Sequence, residues 1–152
     1  MQIRNILTTA SVLAGALLMF GTGSAHADTP DNYAGVAIQT DDSVIGVFGK
    51  YEIKELDGSG FLDGISARPS VFFDDDVNGN ISVTADKDVT GNLTAFAGPV
   101  LGFDTSGDDT DVNVGVALGA DYQIGRSNFV ANGTAILGSS DSSIRLGIGY
   151  GF

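Results

Sequence analysis

The 152-residue chain has no cysteine, no tryptophan, one histidine and three prolines, and it carries seven basic residues against nineteen acidic ones. Without cysteine there is no disulfide framework and no thiolate chemistry. The lone histidine, His26, stands alone as an imidazole acid–base or metal ligand. The formal charge of −12 disfavours nucleic acid, whose phosphates would repel the chain. Twenty-two glycines argue against long helices, because glycine and proline are the poorest residues in a helix interior.

The N-terminus reads as an export signal. "MQIRN" supplies a basic start with Arg4, Ile6 to Phe20 is an apolar run, and Ala25-His26-Ala27 gives a small-residue cleavage pattern before Asp28. The expected division is a signal peptide over 1–27 and a β-domain over 28–152. Removal of the signal takes Arg4 and His26 with it and leaves six basic against nineteen acidic residues, a formal charge of −13.

What remains is dominated by residues that alternate with period 2, the pattern of a strand with two unlike faces. In "VNVGVALGADYQI", Val112, Val114, Val116, Leu118, Ala120, Tyr122 and Ile124 share one face. The other face carries Asn113, Gly115, Ala117, Gly119, Asp121 and Gln123. Similar alternation runs from Ile45 to Ile53, Ile65 to Phe73, Ile81 to Asp86, Leu93 to Phe103, Asn128 to Leu137 and Ser142 to Phe152. A first segment, Asn32 to Gln39, has apolar residues on both faces and leaves its direction open. The connections "TDDS", "KELDGSG", "DDDVNGN", "KDVTGN", "DTSGDDTD", "GRS" and "GSSDS" are rich in turn residues and too short for parallel crossovers. Eight strands in an antiparallel up-and-down meander close into a barrel and so remove both free edges.

The apolar face cannot easily be the inside. It would crowd Tyr51, Phe73, Phe103, Tyr122, Phe129 and Tyr150 into a narrow eight-strand lumen. Turned outward it suits lipid, with small and polar residues inside and aromatics near the strand ends. The expected fold is therefore an all-β, eight-stranded transmembrane barrel, with "ISVTAD" as its one short strand.

The final segment carries a resemblance. "RLGIGYGF", with Leu146, Ile148, Tyr150 and Phe152 on one face, resembles the C-terminal signature of bacterial outer-membrane barrels. The whole region from Asp28 on looks most like the small eight-stranded OmpA/OmpX-like barrels of the Gram-negative cell envelope. The resemblance implies that Leu146, Ile148, Tyr150 and Phe152 form the membrane-insertion signal. It also implies periplasmic chaperones and the outer-membrane barrel assembly machinery as partners, outer-membrane lipids as surroundings, and both chain ends on the periplasmic side. The expected role is structural, or a minor porin-like permeability through a polar, plugged lumen. A soluble, lipocalin-like secreted binding barrel is the alternative. So is a barrel enzyme acting on envelope lipids, but the families of that kind use a histidine that the exported chain would lack.

Two groups of residues stand out as sites. Lys50, Glu52, Arg68, Asp86, Asp121 and Arg145 fall on the inward face, three of each sign, and form an expected lumen network. Asp74, Asp76 and Asn78 stand at positions one, three and five of a calcium-loop-like stretch, with Gly79 at six. Position twelve is Ala85 where a bidentate acid belongs, so tight binding is not expected. No resident cofactor is expected, only loose Ca²⁺ or Mg²⁺ on the acidic loops.

Overall fold

A computed structural model describes residues 29–56, 61–138 and 142–152, so the expected signal peptide lies outside the described residues. Eight strands follow in chain order: β1 (Asn32–Gln39), β2 (Val44–Glu55), β3 (Gly64–Phe73), β4 (Val77–Thr90), β5 (Leu93–Ser106), β6 (Asp109–Gln123), β7 (Phe129–Gly138) and β8 (Ser142–Gly151). Each pairs antiparallel with its neighbours in sequence, and β1 pairs with β8 to close the barrel. The β1–β2, β3–β4, β5–β6 and β7–β8 connections share one end, here the loop end. Thr29 and Phe152 lie at the other, the terminal end.

The alternation sorts the faces. Ile45, Val47, Ile81, Val83, Leu101, Val114, Val116 and Ile148 are exposed on the outside, while Lys50, Ser66, Arg68, Ser82, Thr84, Asp86, Asp121 and Arg145 are buried inside. The first strand, whose direction the sequence left open, turns Tyr33 and Ala37 inward and Val36 and Ile38 outward.

Two expectations need correction. The strand expected to be short, "ISVTAD", is the middle of the 14-residue β4. Its flanks have the composition of turns, yet Val77–Asn80 pair with Ser70–Phe73 on β3 and with Gly102–Thr105 on β5. Only Asp74–Asp76 remain as the turn, closed by a hydrogen bond from Asp74 N–H to the Asp76 carbonyl. Likewise most of "DTSGDDTD" is ladder: Ser106 pairs with Asp109 across a two-residue turn in which Gly107 has φ 63°, the conformation such hairpins need at that position. Among the described residues β6 pairs with β7 from Gly115 onward, and Asp109–Val114 pair with β5.

The interior is also less uniformly small than expected. Tyr33, Phe48, Phe72 and Phe96 all point inward. Glycines opposite them make the room. A side chain at Gly147 would meet Phe48 at 2.6 Å, and one at Gly46 would meet Phe72 at 2.5 Å. A narrow barrel accommodates rings by pairing each with a residue that has no side chain at all.

Candidate functional site: a two-tier polar interior

The inward polar residues separate into two tiers. The deeper one, toward the terminal end, is built around Arg68 on β3. Its Nη2 lies 2.8 Å from Asp121 Oδ2 on β6 and 3.4 Å from Asp86 Oδ1 on β4. Nη1 donates to the Tyr33 hydroxyl at 3.0 Å, and Nε donates to Thr84 Oγ1 at 2.9 Å. The guanidinium carbon sits 3.6 Å from the centre of the Phe96 ring. An arginine fork touching a ring face, a hydroxyl pair and two carboxylates uses its charge and its plane together.

The two acids are satisfied from several sides. Asp121 is fully buried; its Oδ1 accepts from the Tyr33 hydroxyl at 2.6 Å and from Asn132 Nδ2 at 2.7 Å. Asp121 Oδ2 faces Arg68 as an ion pair but receives no aligned hydrogen bond. Asp86 accepts from Ser66 and, at 2.7 Å, from Thr84, and Lys50 Nζ lies 3.6 Å away. The tier thus contains two cations and two carboxylates in contact, the condition under which buried charge is tolerable.

The second tier lies toward the loop end around Arg145 on β8. Nη1 donates to Ser70 Oγ at 2.9 Å and to Asn80 Oδ1 at 2.8 Å, while Nε and Nη2 reach Gln39 Oε1 at 3.4 and 3.3 Å. The Phe72 ring lies beneath it, 4.4 Å from the guanidinium carbon. Between the tiers is a void of about 30 Å³. Beyond Arg145 the lumen widens into a vestibule of about 480 Å³, whose walls include Asp41, Asp42 and Asp104.

Of the six residues expected in one lumen network, Lys50, Arg68, Asp86 and Asp121 come together. Arg145 belongs to the other tier. Glu52 is half-buried near the terminal end, its carboxylate beside Gly64. Tyr33 is the member that pattern reading missed. The two-faced apolar pattern of its strand hid the inward direction, and only pairing with β2 and β8 settles it.

The calcium-like residues are divided by the fold. Asp74 and Asp76 sit on the β3–β4 turn, whereas Asn78 is within β4 and donates its amide to both Asp104 carboxylate oxygens, at 2.8 and 3.0 Å, in the orientation those acceptors require. Among the described residues no group of three or more acidic or other ligating side chains is arranged around a common metal position. In the expected insertion signal, Leu146, Ile148 and Tyr150 follow one another on the outer face of β8, and Phe152, just past it, is 81% exposed. At the turn between β2 and β3, Asp63 pairs with Lys87 at 3.0 Å; that ion pair, with the Asp88 N–H, holds the Asp63 carboxyl below its ordinary range.

No known protein family matches the chain. No curated protein matches its sequence.

Proposed function

We propose that this protein is a small integral barrel of the bacterial outer membrane, similar to the OmpA/OmpX-like barrels, whose role is structural. The observation that carries the proposal is the apolar belt. Every strand contributes: Val36, Ile45, Phe73, Val83, Leu101, Val116, Leu137 and Ile148 are each 45–63% exposed. Leaving a side chain of that size in water forgoes roughly 1.5–3 kcal/mol each, and soluble monomers rarely expose a continuous apolar surface of such extent. Lipid removes the penalty. Lys50, Arg68 and Arg145 turn inward, away from a belt where a cation would cost about 2–4 kcal/mol at mid-bilayer. The outward apolar face weighs against a soluble lipocalin-like binder, whose apolar face would line the lumen.

The interior favours the structural role over solute passage. The void of about 30 Å³ between the tiers holds one or two waters and nothing larger. In this reading the outward row Leu146, Ile148, Tyr150 and Phe152 is what assembly machinery would recognise, and divalent cations bridge the acidic loops to anionic lipid.

The test is refolding with and without vesicles, followed by circular dichroism and protease resistance. A β-spectrum and protection that appear only with lipid or detergent are expected. A monodisperse, folded barrel in plain buffer would overturn the membrane assignment. Single-channel recording in planar bilayers then separates the two roles: steady conductance would replace the structural reading with a permeability one.

A further inference from the structure

Among the described residues Arg145 is a buried cation with no acid in contact. It is 9% exposed, yet its partners are the neutral Ser70, Asn80 and Gln39, and among the described residues no carboxylate lies within ion-pair distance of it. Arg68, on the same inward face, contacts two. Buried charges are ordinarily paired, because desolvation is costly without a counter-charge. Arginine has five N–H donors; the contacts at Arg145 use four of them. The guanidinium is therefore held in place from three strands and keeps both its charge and one donor.

Its position gives that charge a direction. Arg145 lines the vestibule of about 480 Å³, within the size range of small-molecule pockets. Asp41, Asp42 and Asp104 stand on the walls of the same space. Burial, and then the neighbouring Asp42, push the Asp41 carboxyl above its ordinary range, and the opposing pull of Arg145 from across the vestibule is the weakest of the influences on it. A simple anion would have to pass those carboxylates to reach Arg145. A simple cation would be drawn to the walls but would gain nothing from the guanidinium.

We propose that the vestibule binds small zwitterions, molecules with one carboxylate and one ammonium group, the carboxylate on Arg145 and the ammonium among Asp41, Asp42 and Asp104. The arrangement is a dipole, and a ligand with the opposite dipole satisfies both ends at once. Binding here does not depend on the lumen conducting, nor on the membrane assignment.

The probe is the dipeptide alanyl-alanine, titrated calorimetrically into the folded chain in nonionic detergent micelles. Sodium acetate and ethylamine, its two charged ends in separate molecules, are the comparison. Saturable binding of the dipeptide is expected, with each comparison compound at least about tenfold weaker. Arg145→Gln and the double substitution Asp41→Asn/Asp42→Asn should each weaken the dipeptide by about tenfold or more, while Lys87→Gln, at the opposite end, should leave it unchanged. If Arg145→Gln fails to fold, the loop double substitution and the two comparison compounds carry the test. No dipeptide binding, acetate or ethylamine binding as tight as the dipeptide, or an unaffected Asp41→Asn/Asp42→Asn variant would each overturn the proposal.

Discussion

Arg68→Ala removes a side chain that touches β1, β4, β5 and β6 across the lumen, and its cost can be worked from the contacts. Asp86 keeps Lys50 at 3.6 Å, so it remains compensated. Asp121 does not: it is fully buried, and its remaining partners, Tyr33 and Asn132, are neutral. Breaking a buried pair by deleting one partner costs about 3–5 kcal/mol. Loss of the contact with the Phe96 ring adds up to about 2 kcal/mol, since the cation there is desolvated. Lys87→Ala is the matched control. Its ion pair with Asp63 is short, at 3.0 Å, but the lysine side chain is 40% exposed, and exposed pairs contribute at most about 1 kcal/mol. Urea unfolding in detergent micelles, followed by circular dichroism, should therefore show Arg68→Ala destabilised several times more than Lys87→Ala. Adding Asp121→Asn to Arg68→Ala should recover a large part of the loss, because the stranded charge is gone while Tyr33 and Asn132 keep a polar partner. Equal effects of the two single substitutions, or no recovery in the double, would refute the idea that charge compensation holds this tier together.

Three further outcomes follow from the geometry. Tyr33→Phe deletes the hydroxyl that donates to Asp121 and accepts from Arg68, so it should cost roughly 1–3 kcal/mol by urea unfolding. Gly147→Val places a side chain where Phe48 lies 2.6 Å away; it should destabilise by about 1–3 kcal/mol, and Phe48→Ala in the same chain should relieve it. Asp63 has a carboxyl held below its ordinary value of 3.8, so its pairing contributes stability above that pH and loses it as pH falls through the lower folded value. Acid titration of stability should accordingly be shallower in Asp63→Asn than in the unsubstituted chain.

The barrel itself was legible because period 2 and short turns leave few alternatives: antiparallel neighbours, an even strand count and closure follow from Val112–Ile124 and its relatives. Parity was legible as well: alternation puts Lys50, Glu52, Arg68, Asp86, Asp121 and Arg145 on the inward face, and all but the half-buried Glu52 are buried there. Strand ends were not. Asn78, Gly79 and Asn80 look like a turn by composition, and they lie in a strand because β3 and β5 offer paired ladders on both sides. Tyr33 was hidden for the related reason that its strand carries no polar face until its neighbours choose one.

Height along the barrel axis is the coordinate that alternation cannot supply. Arg68 and Arg145 are the same residue type on the same face, and the sequence treats them alike. Register separates them. The β3–β4 ladder sets Arg68 opposite Ser82, two residues along β4 from Thr84 and four from Asp86, so that the guanidinium reaches both, while closure of the barrel brings Asp121 from β6 across to it. The β1–β8 ladder sets Arg145 opposite Gln39, one tier higher, where β3 and β4 present Ser70 and Asn80 rather than acids. One arginine thus spends its charge inside the fold, neutralised by carboxylates that cannot leave without destabilising the barrel. The other is fixed just as firmly by neutral groups, which orient a cation without cancelling it. That difference, produced by register alone, is what turns one tier into internal support and leaves the other, at the floor of an open vestibule, with a field still available to a ligand.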